Sequence, residues 1–194
     1  VAILTRGYRR RGSARLVVRG PVKDWRTVGD EPALLAATLV DVPVIVDADR
    51  VRGAATAVAE AGATHLLLDD GFQHWRLARD LDLVVVDAAD PLASRSPRRE
   101  GPRALARAHT LLLAGGTAPS AESAAAQLRR IVPDTPSVAT RTVVRGVRCG
   151  GELLAPASLA GKRVVAVAGI AAPERFFATV AALGAEVVHR RPFA

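Results

Sequence analysis

Apolar and polar positions divide the chain into short apolar runs and longer amphipathic stretches. Residues 1–4, 42–46, 63–68, 82–87, 110–113 and 163–168 are runs rich in Val, Ile and Leu, each closed by polar or turn-forming residues. Each predicts a strand, and the runs at 63–68, 82–87 and 163–168 predict buried ones. Residues 14–19 alternate weakly and predict a short strand, one arm of a hairpin. Between these lie helical patterns. One opens at Asp30-Glu31-Pro32, with Asp30 as N-cap and Leu34, Leu35 and Leu39 as its apolar face. A second spans 49–61 and closes at Gly62. A third spans 120–132, with Ser120 as N-cap and Pro133 past its end, and residues 104–108 predict a short helix. A last one begins near Pro173, carries Phe176, Phe177, Val180 and Leu183 on one face, and ends at Gly184, before a strand that begins at 186–188. Residues 136–154 predict two extended segments, 138–144 and 147–154, broken near Gly150-Gly151. Strand, helix and strand at this spacing make βαβ units and a mostly parallel sheet.

Composition narrows the class. The chain has 194 residues, 49% hydrophobic and 24% charged, which is globular rather than disordered. A single cysteine, Cys149, excludes a disulfide framework and a thiolate metal site, and four scattered histidines argue against zinc. No apolar run approaches the roughly 20 residues that span a bilayer, and no signal peptide opens the chain as given. These features fit a cytoplasmic protein. The net charge is +8, and the cations are nearly all arginine, the lysines being Lys23 and Lys162. An Arg excess suits phosphates or an anionic surface, and it is also what a high-GC genome gives. Nucleic acid is disfavoured as a partner, since aromatics make only 4% and do not interleave with the cations. There is no Met, the chain opens inside a strand at Val1, and no closing element precedes Ala194. Both ends read as cut, so the expectation is a fragment of a longer protein.

The candidate chemistry centres on residues 66–74. Three leucines run into Asp69, Asp70, Gly71, Phe72, Gln73 and His74. A polar cluster at the carboxyl end of a strand is where open α/β sheets bind ligands. Two adjacent acids there can hold Mg²⁺, directly or through water; they can equally cap the next segment in a solvated turn. Residues 5–12 form a basic loop bearing Arg6, Tyr8, Arg9, Arg10 and Arg11 between glycines, either an anion-binding loop or a solvated turn. Helix capping and the helix dipole alone would explain Asp30 and Glu31. Neither Gly115-Gly116 nor Gly161-Lys162 is followed by the residues of a phosphate-binding loop.

Taken in order, several stretches resemble one family, tetraacyldisaccharide 4′-kinase (lipid A 4′-kinase). They are Leu4-Thr5-Arg6-Gly7-Tyr8, Val28-Gly29-Asp30-Glu31-Pro32, Asp49-Arg50, Asp69-Asp70-Gly71-Phe72-Gln73-His74 with Arg79-Asp80, Arg99-Glu100, and Pro173-Glu174-Arg175-Phe176-Phe177. The resemblance covers nearly the whole chain. It implies a P-loop-kinase-like α/β fold with a mostly parallel sheet flanked by helices, a β-hairpin connector and the start of a smaller second α/β domain. The expected boundaries are 1–134, 135–160 and 161–194. It implies transfer of the ATP γ-phosphoryl, with Mg²⁺, to the 4′-hydroxyl of a tetraacylated disaccharide 1-phosphate, the lipid A precursor, at the cytoplasmic face of the inner membrane. Carried over by motif, Asp30 matches the acid that activates the sugar hydroxyl, and Asp69 and Asp70 match acids beside metal and nucleotide. Gln73 and His74 match polar residues of the cleft, Arg99 and Glu100 match a pair near the phosphates, and Arg6 and Tyr8 lie beside the substrate. The family's Walker loop is expected ahead of Val1 and an acid-and-histidine motif after Ala194, so this chain alone is expected to be inactive. The alternative is a non-catalytic α/β module that holds an anionic glycolipid or a nucleotide through its Arg loops.

Overall fold

The computed structural model describes residues 1–92, 100–170 and 172–193, which form two compact units, Val1–Thr140 and Arg141–Ala194. In the first unit, β1 (Ala2–Thr5) lies between β3 (Val44–Val46) and β4 (Leu66–Leu68) and is parallel to both. β2 (Leu16–Val18) adds antiparallel to the outer edge of β3, giving the order β2-β3-β1-β4. The predicted hairpin arm at 14–19 is thus an edge strand whose partner lies beyond two intervening helices. A second ladder holds β5 (Leu83–Asp87), β6 (Thr110–Ala114) and β7 (Ser137–Ala139), all parallel. The segment expected to be extended over 138–144 therefore contributes its first residues to β6.

Among the described residues, four helices accompany these ladders. The four-residue α1 (Trp25–Val28), unforeseen in the sequence pattern, is capped by Asp24, whose side chain accepts from the Arg26 amide. α2 (Asp30–Thr38) starts one residue earlier than an Asp30 cap requires. Its N-cap is Gly29, at φ 102°, and Asp30 is already helical. Its inner face is Pro32 and Ala36 with Ala33 and Leu35, whereas Leu34 and Leu39 are exposed. α3 (Arg50–Ala61) matches expectation: the Asp49 carboxylate accepts from the amides of Val51 and Arg52, and Gly62 closes it in the left-handed region. Gly53 lets α3 close on the sheet, since a Cβ there would stand 3.3 Å from Asp47 Cβ and 3.6 Å from Leu4. α4 (Ala118–Arg129) is capped by Thr117, not Ser120, which instead donates its amide to the Thr117 hydroxyl. A 3₁₀ turn at Pro102–Arg107 replaces the short helix expected at 104–108.

The core of the first ladder is Ala2, Leu4 and Ile45 against α3 on one face, and Ile3, Val18, Val44 and Val46 against α2 on the other. The second ladder packs Val86, Leu111 and Leu113 on Ala121, Ala124 and Leu128 of α4. The runs predicted as fully buried are not. Leu67, Leu83 and Val85 are 60%, 53% and 68% exposed, because β4 and β5 each end a ladder.

The second unit opens with the hairpin β8 (Val147–Cys149) and β9 (Glu152–Leu154), turned by Gly150 and Gly151, both at positive φ as a two-residue hairpin turn demands. A βαβ unit follows: β10 (Arg163–Ala168), α5 (Pro173–Ala182) and β11 (Glu186–Pro192), with the strands parallel. Phe177 is fully buried against Ala166, Ala168 and Val187, while Phe176, expected on the same inner face, is 38% exposed. The other face of β10 is open at Val165 and Val167, so this strand too is buried on one side only.

One buried charge organises the end of β3. Asp47 is 1% exposed and takes a forked pair from Arg52, Nε to Oδ2 at 2.7 Å and Nη2 to Oδ1 at 2.8 Å, plus the Asp49 amide at 2.9 Å. The Arg52 hydrogen bonds hold its carboxyl below the usual carboxylate range, against the opposing effect of burial. A depressed carboxylate stabilises the fold above its unfolded pKa, about 3.9, and that contribution is lost as pH falls through the lower folded value. Asp47→Asn is expected to cost roughly 1–3 kcal/mol at pH 7. In urea titrations at pH 7 and pH 3, the gap between wild type and variant should close on the acid side; a gap independent of pH would reject the assignment.

Candidate active site

The carboxyl ends of β1, β3, β4 and β5 converge on an open cleft of about 1110 Å³, and every residue lining it belongs to the first unit. The Asp69 amide still follows the strand ladder, donating to the Leu4 carbonyl at 2.9 Å. At Asp70 the chain turns, with φ 52°. Asp and Asn are the residues other than glycine that tolerate this left-handed conformation best. Gly71 completes the turn by packing under Leu68, where a Cβ would come within 2.5 Å of the Leu68 Cβ. The apolar run thus ends in a backbone reversal that delivers Asp69, Asp70, Gln73 and His74 to the same wall.

Of the residues expected at the site, Arg6, Tyr8, Asp69, Asp70, Gln73, His74 and Glu100 line the cleft. Asp30 does not. It is exposed, and its Oδ1 accepts from the Glu31 amide at 2.9 Å. Arg99 lies outside the described residues. Glu100 is already engaged: it accepts from Trp75 Nε1 at 3.0 Å and from Arg107 Nη2 at 2.5 Å, and Arg107 stacks over the rings of both Trp75 and Phe72. The Arg107 hydrogen bond is the main reason the Glu100 carboxyl is held below its ordinary value.

Among the lining residues without a role in the sequence reading, Glu31 and Arg50 carry charge next to Asp69. Glu31 shares a hydrogen bond with the Asp69 side chain. Desolvation in the cleft, then the charge of Asp69, that hydrogen bond and the charges of Asp70 and Asp30, push its carboxyl above the ordinary value. Three carboxylates thus crowd one region, and their mutual repulsion makes the charged form of Glu31 less favourable. Arg50, 4% exposed, sits behind them. It donates to the Asp47 carbonyl at 2.6 Å and the Asp69 carbonyl at 3.3 Å, tying the ends of β3 and β4. Its cationic form is disfavoured by burial and favoured by Asp69 and Asp70. Both signals were present as Glu31 beside Asp30 and Arg50 beside Asp49, but each reads as helix-end chemistry.

His74 is set by the same surroundings. Burial first, then the charges of Arg50 and Arg76, lower its pKa, so the ring is neutral near pH 7. Its Nε2 is buried and has no hydrogen-bond partner, an orphan polar atom at the cleft. Acids flanked by Arg6 and Arg50, with a neutral imidazole and an amide alongside, can hold a phosphorylated group while leaving one carboxylate to manage a proton.

Over residues 1–194 the chain matches the family model described as tetraacyldisaccharide-1-P 4′-kinase. It is 43% identical to the tetraacyldisaccharide 4′-kinase of Anaeromyxobacter dehalogenans (strain 2CP-C), with 100% of this chain and 54% of that protein covered. Against the enzyme of the same name from Syntrophus aciditrophicus (strain SB) it is 37% identical, covering 96% and 55%. The chain therefore spans about half the length of the curated relatives it matches. A crystal structure of the "apo" form of LpxK from Aquifex aeolicus in complex with ATP superposes with a TM-score of 0.74 at 27% identity, covering 99% of this chain and 61% of that one. The chain belongs to the tetraacyldisaccharide-1-P 4′-kinase family.

Proposed function

We propose that this chain forms the acid-bearing wall of a kinase that moves the γ-phosphoryl of ATP to the 4′-hydroxyl of a tetraacyldisaccharide 1-phosphate, a lipid A precursor. The observation that carries this is the convergence of Asp69, Asp70 and Glu31 with Arg6, Arg50 and His74 on one open cleft at the strand ends. The match to tetraacyldisaccharide 4′-kinases over the whole chain supports it.

Phosphoryl transfer asks a protein chiefly for positioning and charge neutralisation. Arg6, exposed at the cleft beside Tyr8, would pair with phosphate oxygens, and Gln73 and neutral His74 would orient the donor by hydrogen bonds. No group of three or more His, Cys, Asp or Glu able to enclose a metal ion occurs among the described residues. Two carboxylates at an open cleft nonetheless suit Mg²⁺, which takes one or two protein carboxylates and fills its shell with phosphate oxygens and water. Asp69 and Asp70 would hold it, and bound there it would offset charge on the transferring phosphates. Asp30, next to the cleft-lining Glu31 in the chain, would accept the hydroxyl proton. Arg99 and Glu100 would stand near the phosphates, with Glu100 holding the loop through Trp75 and Arg107.

The acceptor carries four acyl chains, so the enzyme would work as a peripheral protein at the cytoplasmic face of the inner membrane. No helix among the described residues is long and apolar enough to cross a membrane. The test is transfer of radiolabel from [γ-³²P]ATP to the disaccharide 1-phosphate by the full-length protein. The expected product is the 4′-phosphate, and Asp30→Asn should lower kcat by roughly 10²–10⁴-fold with little change in the KM for ATP. Labelled product absent from the wild-type reaction would overturn the kinase reading in favour of a binding module.

A further inference from the structure

The basic loop after β1 and helix α1 run side by side. The Arg11 amide donates to the Arg26 carbonyl at 2.7 Å, and a Cβ on Gly29 would stand 3.4 Å from the Gly7 Cα, so the two backbones touch at both ends of the strip. Two large aromatic side chains project from this strip into solvent, Tyr8 at 65% exposure and Trp25 at 47%. Each carries its own guanidinium, Arg9 at 5.2 Å from the Tyr8 ring and Arg26 at 4.6 Å from the Trp25 ring. Residues 6–26 hold eight cations and a single acid, Asp24, which is occupied as the α1 cap and lies 3.9 Å from Arg26. Of the eight, Arg15 is turned away to Glu60 and Arg10 is tied to the Ala14 carbonyl; Arg9, Arg11, Lys23 and Arg26 remain at the exposed surface.

We infer that the strip formed by residues 8–11 and α1 docks on an anionic phospholipid bilayer, with Trp25 and Tyr8 entering the headgroup layer and Arg9, Arg11, Lys23 and Arg26 pairing with lipid phosphates. Exposed Trp and Tyr flanked by cations are the side chains that settle at a membrane–water boundary, and clustered cations add attraction to an anionic leaflet. Tyr8 belongs both to this strip and to the lining of the cleft, so the strip borders the cleft's mouth. An acceptor held in a leaflet by four acyl chains must enter from a membrane-facing side. This inference rests on the proposed function for its partner and supplies the surface that function requires.

The experiment uses the full-length protein and vesicles of phosphatidylethanolamine with phosphatidylglycerol, some carrying brominated acyl chains, against phosphatidylcholine vesicles. Brominated anionic vesicles should quench tryptophan emission in the wild type and in Trp75→Phe, and the quenching assigned to residue 25 should vanish in Trp25→Phe. The double variant Lys23→Glu/Arg26→Glu should lower affinity for anionic vesicles about tenfold at low salt, while its transfer of phosphate to detergent-dispersed acceptor stays at the wild-type rate. Equal quenching with and without Trp25 overturns the inference. So does binding that the charge reversal leaves unchanged, and so does shielding of Trp25 from acrylamide in the absence of vesicles, which would mean that protein covers the strip. A protein that transfers phosphate yet fails the vesicle tests loses this inference alone. One that passes them without transferring phosphate keeps the docking strip and loses the kinase reading.

Discussion

Asp70→Asn should reduce phosphoryl transfer by roughly 10²–10³-fold while leaving the protein folded. The argument turns on the backbone. Asp70 sits at φ 52°, so most substitutions there would combine a chemical change with strain. Asn tolerates the left-handed region at least as well as Asp, so this variant removes a charge from the cleft and little else, and its stability should stay within about 0.5 kcal/mol of wild type. Asp70→Gly is the complementary variant, since it relaxes the backbone and removes the side chain entirely. Both should show the same loss of transfer rate, with thermal midpoints close to that of wild type. Initial rates and melting curves on the same preparations check this. A rate within threefold of wild type for Asp70→Asn would remove Asp70 from the set of residues that handle phosphate or metal.

The largest expected effect on stability belongs to Arg79. Its guanidinium, part-buried with Asp82, makes five hydrogen bonds: to the carbonyls of Phe72, His74 and Leu77, and to both oxygens of Asp82. It therefore fixes the loop that carries Gln73 and His74 to the residue that leads into β5. Asp82 is held from its other side, where its amide donates to His109 Nδ1 at 2.9 Å. Arg79→Ala would leave the part-buried Asp82 without its partner and three carbonyls without their donor. The expected cost is roughly 2–4 kcal/mol, from several charge-assisted hydrogen bonds lost together, which lowers the melting temperature by on the order of 10 °C. Arg79→Lys should recover less than half of this, because an ammonium cannot reproduce the planar fork. Calorimetry on the three proteins decides the matter; a Lys variant as stable as wild type would mean that charge alone, not fork geometry, holds the loop.

Much of the fold was legible where one local signal sufficed. Asp49 ahead of an apolar periodicity, and Gly62 after it, marked both ends of α3 because capping chemistry is local. The parallel arrangement followed from strand–helix–strand spacing. The reading failed where the outcome depended on neighbours. A run such as Leu66-Leu67-Leu68 states that a strand is apolar, not whether both its flanks are covered, and Leu67 turned out to be exposed because β4 ends its ladder. Asp30 and Ser120 have the side chains of N-caps, yet Gly29 and Thr117 hold those places, since the cap goes to the residue whose backbone turns into the helix. At the site, the Asp-Asp-Gly-Phe-Gln-His stretch could be singled out because turn residues directly follow a strand. Glu31 and Arg50 could not, because their importance comes from proximity to Asp69, which is distant in sequence and arrives only through the β1–β4 pairing.

The open flanks of β4 and β5 have a consequence for the chemistry they carry. Among the described residues, each strand shares a backbone ladder on one side only. β4, which leads into Asp69, and β5, which ends at Asp87, therefore also offer outward N–H and C=O groups, beside Leu67, Leu83 and Val85. Such a flank is a template on which an extended apolar segment can add as a further strand. In β4 the open flank thus leads straight into the wall that carries Asp69 and Asp70, so a segment paired there would settle beside those acids.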